Sequence, residues 1–192
     1  MRKVILFIHL SFDGCVAGAE NEQDWMTRTD DEMGAFMADG MVENVDTILT
    51  GRKLYEGFAQ FWPGVPAMPN IPPELVAFAH WMNDTRKVVF SKTLDKAEWT
   101  NSVIASGDVA DEITKLKAQP GKDMVIFGGA EMVQELTKRG LVDEYHIKLE
   151  PVILGNGKPL FKEVTDRVQL KLIKSKAFEK SGVVGLFYEV VR

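Results

Sequence analysis

The sequence lacks several features that define whole classes of protein. It contains one cysteine, Cys15, so neither a disulfide framework nor a cysteine-based metal site can form within one chain. Its net charge is −5, and no basic stripe is present that would offset the repulsion of phosphates. The apolar run over residues 4–10 is too short to span a bilayer, and no clean cleavage site follows it. We therefore expect a cytoplasmic protein that binds neither nucleic acid nor a membrane.

Metal-binding patterns are missing as well. The sequence has three histidines, His9, His80 and His146, and no ligand spacing links them. We expect core or surface positions for all three and no bound metal.

What the sequence does show is the composition and alternation of a globular α/β protein. Hydrophobic residues make up 45% of the 192 residues and charged residues 27%, which suits one domain over residues 1–192. Short segments, most of them apolar on both faces, predict strands at residues 4–10, 45–50, 87–91, 103–105 and 124–127. Helical patterns occur at residues 30–41, 52–58, 108–117 and 131–138. Strands buried on both faces need helices on each side, which favours a mostly parallel central sheet.

The C-terminal third has a different pattern. Residues 144–154 and 168–178 predict long strands, and residues 183–191 return after a turn as the other arm of an antiparallel hairpin. Earlier in the chain, residues 61–73 hold five of the eight prolines and are predicted to be neither helix nor central strand. A short helix could begin at Pro72 and run to Met82. A loop of this length favours a role in shaping a pocket.

One strand-to-helix turn has the composition of a phosphate site. Thr50, Gly51, Arg52 and Lys53 stand at the end of a strand, where a helix N-terminus offers unpaired N–H groups and a partial positive charge. Gly51 allows close approach of the backbone, and the two basic residues add charge. An ordinary turn with two solvated basic residues explains the same pattern, so the motif alone leaves both interpretations open.

Two further turns resemble the first. One leads from a strand into a helix and is too short for the G-x-G-x-x-G fingerprint of dinucleotide-binding proteins. The other follows a strand with a hydroxyl group and a positive charge. The turn that leads into a helix contains Gly128, Gly129, Ala130 and Glu131. The turn with a hydroxyl and a positive charge contains Ser91 and Lys92. Because a dinucleotide carries phosphates at separated points, several such turns on one sheet are more informative than each alone.

Carboxylates follow the first strand. Ser11, Asp13 and Gly14 form a turn there, and a flexible loop and Trp25 come next. This set could close over a nicotinamide ring, although an Asp-Gly turn and a core tryptophan are the plainer interpretation. Asp30 opens a predicted helix, where a carboxylate also serves as a cap favoured by the helix dipole.

The order of these motifs resembles the dihydrofolate reductase-like family, in particular single-domain proteins related to the reductase half of the bifunctional riboflavin-biosynthesis deaminase-reductase. The match runs over nearly the whole chain, and its most specific part is residues 151–161, PVILGNGKPLF. The resemblance implies an α/β, three-layer fold with a mostly parallel central sheet of about eight strands and a C-terminal antiparallel hairpin.

The resemblance also implies roles for individual residues. The cofactor phosphates are expected at Thr50, Gly51, Arg52 and Lys53, with the 2′-phosphate at Ser91 and Lys92 and the pyrophosphate at Gly128, Gly129, Ala130 and Glu131. The nicotinamide is expected against Gly14, Ala17 and Gly18, and the substrate against Ser11 and Trp25. Asp30 stands five residues after Trp25, as the catalytic carboxylate does in true dihydrofolate reductases, and Asp13 is the second candidate. The peptide bond between Gly128 and Gly129 is expected to be cis.

The sequence departs from dihydrofolate reductases and also from the reductase of riboflavin biosynthesis. A long Pro-rich insertion lies between Phe58 and Lys87, and the arginine expected to hold a folate tail has only Arg86 as an out-of-register candidate. Basic residues expected to meet a ribose phosphate are largely replaced by acids over residues 30–32. The resemblance therefore does not supply the substrate.

These observations lead to one expected function. We expect an NADPH-dependent reductase that transfers hydride to a small heterocycle, similar to 5-amino-6-(5-phosphoribosylamino)uracil reductase. Dihydrofolate reduction and a nucleotide-binding module without catalysis are the alternatives. NADPH is expected over NADH because the matching turns carry basic residues and no acid at the strand end. Asp30 is expected to face the substrate, and a homodimer is expected through the C-terminal hairpin.

Overall fold

The computed structural model describes residues 1–27, 36 and 40–192 of the chain. Their eight strands are β1 (Val4–Ser11), β2 (Val45–Gly51), β3 (Arg86–Phe90), β4 (Ser102–Ala105), β5 (Asp123–Ile126), β6 (Glu144–Glu150), β7 (Leu170–Ala177) and β8 (Val184–Val190). Their helices are α1 (Met41–Asn44), α2 (Arg52–Phe61), α3 (Pro73–Asp84), α4 (Val109–Ala118) and α5 (Ala130–Lys138), with a 3₁₀ helix over Trp62–Ala67. The helix predicted over residues 30–41 lies mostly outside the described residues.

The eight strands form one sheet in the order β4-β3-β2-β5-β1-β6-β8-β7. The six strands from β4 to β6 are parallel, whereas β8 pairs antiparallel with both β6 and β7. The predicted fold class and the C-terminal hairpin are therefore confirmed. Because the six strands run in one direction, their carboxyl ends meet at a single edge of the sheet.

Two apolar layers cover the sheet, as the strands with two buried faces require. On one face, β1 and β5 pack against α4 and α5 through a cluster that includes Leu6, Ile126, Ile113 and Leu136. On the other face, Ile48 and Val125 pack with residues of α1, α2 and α3 in a second cluster. A third, smaller cluster lies beside the hairpin and contains Phe178, Val183 and Phe187. The sheet is thus the middle layer of three.

Most predicted elements differ from the structure by one to three residues at their ends, and two predictions differ by more. Strand β6 ends at Glu150 rather than at residue 154, because Pro151 follows and has no N–H group to continue the ladder. The Pro-rich stretch, predicted to contain no helix, includes the 3₁₀ helix Trp62–Ala67. Pro63 is tolerated at the second position of this helix because the first residues of a helix donate no internal hydrogen bond, whereas Pro66 lies inside the helix and has no N–H to donate. The helix predicted to begin near Pro72 is confirmed as α3.

No helix among the described residues combines the length and the apolar character needed to cross a bilayer.

A fully buried lysine in β3 makes the stability of the fold depend on pH. The Nζ atom of Lys87 donates to the backbone oxygen of Asn83 at 2.6 Å and lies 4.2 Å from the ring centre of Trp99. Burial lowers the pKa of Lys87 from 10.5 to about 8. Between these two values the unfolded chain binds more protons than the folded chain, so Lys87 makes stability rise with pH over that window.

We predict that Lys87→Met stabilises the protein at pH 7 by about 1–2 kcal/mol, because it removes a buried charge at the cost of one hydrogen bond and one cation–π contact. The stability gain should shrink between pH 8 and pH 10.5, where the wild-type lysine loses its charge. Urea unfolding at pH 7, 9 and 10 measures both effects, and Lys162→Met, at an exposed position, is the matched control. A gain that does not change with pH would contradict this account of Lys87.

Candidate active site

Strand β5 ends earlier than its neighbours at the carboxyl edge of the sheet, and we call the space beyond its end the crevice. The last residue of β5, Ile126, lies level with Leu6 in β1 and Leu49 in β2. Strand β1 continues five residues further, to Ser11, and β2 continues two further, to Gly51. The turn after β5 therefore lies between two projecting strand ends. Open α/β sheets bind ligands in crevices of this kind, outside the carboxyl ends of the strands.

Two helices begin at this crevice without a side-chain cap. Helix α2 starts directly after Gly51 and has no acidic residue in its first turn, and α5 starts directly after Gly129. Helix α4 differs, because the carboxylate of Asp108 accepts hydrogen bonds from the N–H groups of Ala110 and Asp111. The first N–H groups of α2 and α5 are thus available to an anion, and the helix dipole favours it, while the exposed Glu131 in the first turn of α5 reduces this advantage there.

The turn after β5 has a backbone that suits glycine. Gly128 and Gly129 have φ values of 131° and 83°, a region that other residues adopt only with strain. The described residues contain no cis peptide bond, so the predicted cis bond between these glycines is wrong. Two glycines at positive φ form the turn with a trans bond and avoid the cost of about 2.5–4 kcal/mol of a cis bond.

The basic residues predicted to meet phosphates lie on this same edge. Gly51 is the register partner of Phe90, so Arg52 and the Ser91-Lys92 turn follow neighbouring strands. Arg52 is exposed, and its Nη1 atom lies 3.4 Å from Oε1 of Glu56. The side-chain oxygen of Ser91 accepts the N–H groups of Thr93 and Leu94, which closes the turn.

Not every residue predicted in these turns presents its side chain to a ligand. Thr50 is buried, and its hydroxyl donates to the oxygen of Gly51 at 3.1 Å. Lys53, Lys92 and Glu131 are exposed. The structure therefore brings the three predicted turns to one edge of the sheet, and the hydroxyl of Thr50 is already bonded within its own turn.

The loop after β1 is held by residues 151–161, the most specific part of the resemblance described above. Phe12 N–H donates to Val152 at 2.8 Å, and Lys158 N–H donates to Ala17 at 2.8 Å. Gly157 lies so close that a Cβ atom there would be 2.8 Å from the Ala17 oxygen. Gly14 N–H donates back to Ser11, and Gly18 N–H to Glu22. This packing places the predicted nicotinamide loop in one conformation beside the crevice.

Asp13 holds the two loops together. Its carboxylate accepts the hydroxyl of Ser11 at 2.6 Å and the N–H groups of Leu154 and Gly155 at 3.1 and 2.8 Å. The hydrogen bond from Ser11 contributes most to holding the pKa of Asp13 below its usual value. The same Ser11 oxygen accepts the N–H of Cys15. Asp13 is thus an ionised group with three donors, and its predicted catalytic role stays a prediction.

The other predicted substrate residues are placed less fully. Asp30 lies outside the described residues. Trp25 is half-buried, and its indole N–H donates to the oxygen of Glu22 at 3.1 Å.

A buried carboxylate that the sequence did not reveal lies beside Ser11. Glu150 is the last residue of β6 and the register partner of Ser11, and it is only 1% exposed. Its Oε1 lies 2.7 Å from Nδ1 of His9, and its Oε2 accepts the hydroxyl and the N–H of Thr27 at 2.7 and 3.2 Å. Burial acts to raise the pKa of Glu150, but hydrogen bonds from His9 and Thr27 outweigh it and hold that pKa below 4.5. The register of β1 and β6 brings Glu150 beside Ser11 and His9, which the sequence alone does not show.

We predict that Glu150→Gln destabilises the fold by about 1–3 kcal/mol at pH 7, because neutral hydrogen bonds to His9 and Thr27 replace the stronger ones that the carboxylate makes, and His9 has to change tautomer to accept from the amide. The ionised carboxylate of Glu150 stabilises the fold above pH 4.5, and this stabilisation is lost as pH falls through the lowered pKa. The difference in the free energy of unfolding between wild type and variant should therefore shrink in acid. Urea unfolding at pH 7 and pH 3.5 measures it, with exposed Glu98→Gln as the control. A difference as large in acid as at neutral pH would contradict the assignment.

An open groove of about 870 Å³ lies at the opposite edge of the sheet, where β2, β3 and β4 begin, and its lining includes Arg86, Trp99 and Ser102. None of the turns described above contributes to it. No cluster of three or more His, Cys, Asp or Glu side chains that could hold a metal ion occurs among the described residues.

The sheet order, the helical layers and the crevice define an α/β protein of the dihydrofolate reductase-like class. The chain belongs to the RibD C-terminal domain family, whose model matches residues 2–184. The resemblance stated from the sequence is thereby confirmed.

The chain is also similar to other proteins in sequence and in fold. The uncharacterized protein YyaP of Bacillus subtilis (strain 168) is 35% identical over 187 residues, which cover 97% of this chain and 94% of YyaP. A putative riboflavin biosynthesis protein from Shewanella sp. PV-4 has a similar structure, with a TM-score of 0.76, 24% identity and 99% of each chain covered.

Two further structures have lower identity and, like the Shewanella structure, share the fold alone. A diaminohydroxyphosphoribosylaminopyrimidine deaminase/5-amino-6-(5-phosphoribosylamino)uracil reductase from Thermotoga maritima aligns with a TM-score of 0.67 and 14% identity, over 99% of this chain and 57% of that protein. Dihydrofolate reductase from Enterococcus faecalis, in a complex with NADP(H), aligns with a TM-score of 0.61 and 14% identity, over 99% of this chain and 97% of that one.

Proposed function

We propose that this chain is a reductase that uses NADPH to transfer hydride to a small heterocyclic substrate. The observation that carries the proposal is the crevice over β5, where two helices without side-chain caps begin at Gly51 and Gly129. Their N–H groups and the nearby Arg52 suit two separated phosphates of one dinucleotide. Membership of the RibD C-terminal domain family supports an oxidoreductase.

The residues at the carboxyl edge have distinct proposed roles. Thr50 and Gly51 and the turn of Gly128, Gly129, Ala130 and Glu131 hold the pyrophosphate. Ser91 and Lys92 hold the 2′-phosphate together with the side chains of Arg52 and Lys53, which follow the neighbouring strand. Gly14, Ala17 and Gly18 hold the nicotinamide. Ser11 and Trp25 contact the substrate, and Asp30 orients it. The bound cofactor supplies the hydride, while the protein positions the two reactants and excludes water.

The proposed substrate class is an aminouracil that carries a phosphorylated sugar. The support is the family assignment and the name of the Thermotoga maritima protein, which includes 5-amino-6-(5-phosphoribosylamino)uracil reductase. Dihydrofolate is the second candidate, because an NADP(H)-bound dihydrofolate reductase has the same fold. A nucleotide-binding module without catalysis is the remaining alternative.

Oxidation of NADPH, followed at its absorbance band, tests the proposal. Steady consumption with 5-amino-6-(5-phosphoribosylamino)uracil, and little with dihydrofolate, is the expected result. The reverse preference would replace the substrate, and tight NADPH binding without turnover of either compound would favour the binding module. Asp30→Asn should lower turnover and leave NADPH affinity nearly unchanged, since the carboxylate acts on the substrate.

We further propose that the chain works as one domain, in the cytoplasm, and as a homodimer. Exposed apolar side chains on the edge strand β7 support the dimer: Leu170, Leu172 and Ile173 are 39–49% exposed. Light scattering should give twice the chain mass of 21.5 kDa, and a monomer at high concentration would overturn the dimer.

A further inference from the structure

Hydride transfer to a C=N or C=O group leaves a need for a proton. The hydride forms a new C–H bond, and the electron pair of the π bond moves onto the nitrogen or oxygen, which then takes up a proton. Under the proposed function, on which this inference rests, an acid must therefore lie at the carboxyl edge close to the substrate.

Three described side chains near Ser11 do not suit this task. Asp13 accepts three hydrogen bonds, and its lowered pKa keeps it ionised. Glu150 likewise accepts from His9 and Thr27, and its pKa is also lowered. Cys15 is buried, and burial raises the pKa of its thiol, so it releases a proton only above neutral pH. An acid for neutral pH has to be sought elsewhere.

His9 has the geometry of an oriented acid. It stands two residues before Ser11 on β1, so both side chains are on the same face of the sheet, beside the crevice. Its Nδ1 atom lies 2.7 Å from the ionised, buried carboxylate of Glu150, which holds the ring in one orientation with the proton on Nδ1. The His9 side chain is 21% exposed, so it can exchange protons with water.

We propose that His9 is the catalytic acid of the reductase and that Glu150 is its positioning residue. In the step, the Nε2–H bond of the His9 imidazolium breaks, and an N–H or O–H bond forms on the substrate atom that received the electron pair. His9 becomes a neutral imidazole that keeps its Nδ1 proton toward Glu150. It then recovers a proton from water for the next turnover.

The charged groups around His9 determine how the step depends on pH. On β6, Glu150 favours the imidazolium form and Lys148, the register partner of His9, opposes it. Beyond β6, the same face carries Lys174 and Lys176 of β7, and Asp13 follows Ser11 at the strand end. In the wild type, the rate of hydride transfer should fall at higher pH because His9 loses its proton. A variant without His9 should not show this fall.

The variant that tests the proposal is His9→Asn, because its side-chain amide can still donate to Glu150 but has no proton to give. In single turnovers with NADPH and the aminouracil substrate, hydride transfer should slow by about 10²–10⁴-fold. The rate should also become independent of pH between 6 and 9, while the affinity for NADPH changes less than about twofold. His80→Asn, on an exposed residue of α3, is the control. Equal rates for His9→Asn and wild type would overturn the proposal.

A second measurement needs no turnover. Nitrogen NMR of labelled histidines should show neutral His9 with its proton on Nδ1, a preference that Glu150→Gln removes. NADPH should shift the His9 ring signals and leave those of His80 in place. If NADPH binds and His9 does not respond, the role of His9 is overturned while the cofactor site stands. If NADPH does not bind, the proposed function and the role of His9 fail together.

Discussion

Replacement of Arg52 and Lys53 together by alanine should weaken NADPH binding by about ten- to a thousandfold and change NADH binding little. The two cofactors differ by a 2′-phosphate of nearly two negative charges. Charge-assisted contacts are worth roughly 1.5–3 kcal/mol each, and every 1.4 kcal/mol is about a factor of ten in affinity. Arg52 is nearly half exposed and has Glu56 beside it, and both weaken its attraction for a phosphate. We therefore expect a loss of NADPH affinity toward the lower end of this range.

Titration of both cofactors at low and high salt measures this effect. Higher salt should reduce the preference of the wild type for NADPH, because both cations are exposed. The double variant Lys162→Ala/Arg167→Ala removes the same charge from exposed positions far along the chain and should keep the preference. Equal affinity of the wild type for NADPH and NADH at low salt would show that Arg52 and Lys53 are ordinary surface charges.

The second large effect is expected at the turn after β5. Gly128→Ala should lower NADPH affinity by roughly ten- to a hundredfold, because its φ of 131° is strained for alanine and a shifted turn withdraws a backbone N–H from the phosphate. The same strain should cost about 1–3 kcal/mol of folding stability. Calorimetric titration and urea unfolding measure the two quantities.

Gly140→Ala is the matched control for this variant. Gly140 also has a positive φ, 65°, and it follows the C-terminal end of α5, away from the crevice. We expect a loss of stability in both variants and a loss of NADPH affinity in Gly128→Ala alone. A similar loss of affinity in both would mean that the effect of Gly128 is only a general weakening of the fold.

The sequence predicted most of the fold because burial leaves a clear pattern. Apolar runs such as residues 124–127 have both faces in the core, and they were placed to within one residue. The end of β6 was misplaced because the apolar run continues past Pro151, although the strand does not. The 3₁₀ helix at Trp62–Ala67 was not predicted, because a proline-rich composition argues against an α-helix but does not exclude a short 3₁₀ helix.

The candidate site was harder to predict because its parts meet only through register. Gly51 and Gly129 carry a local signal, a glycine between a strand and a helix, and their turns were recognised. His9 and Glu150 have no such signal, since 141 positions separate them and the pairing of β1 with β6 alone brings them into contact. The predicted cis bond failed because a pair of glycines leaves a trans alternative that the sequence does not distinguish.

Amide chemical-shift mapping with NADPH tests the central claim, a dinucleotide site in the crevice over β5, most directly. Saturating NADPH should shift the amide signals of Arg52, Gly129 and the Ser91-Lys92 turn, with smaller shifts around Trp99 in the groove at the opposite edge. The Arg52→Ala/Lys53→Ala variant should need far more NADPH for the same shifts. Shifts confined to the groove around Trp99, with Arg52 and Gly129 unchanged, would contradict the account.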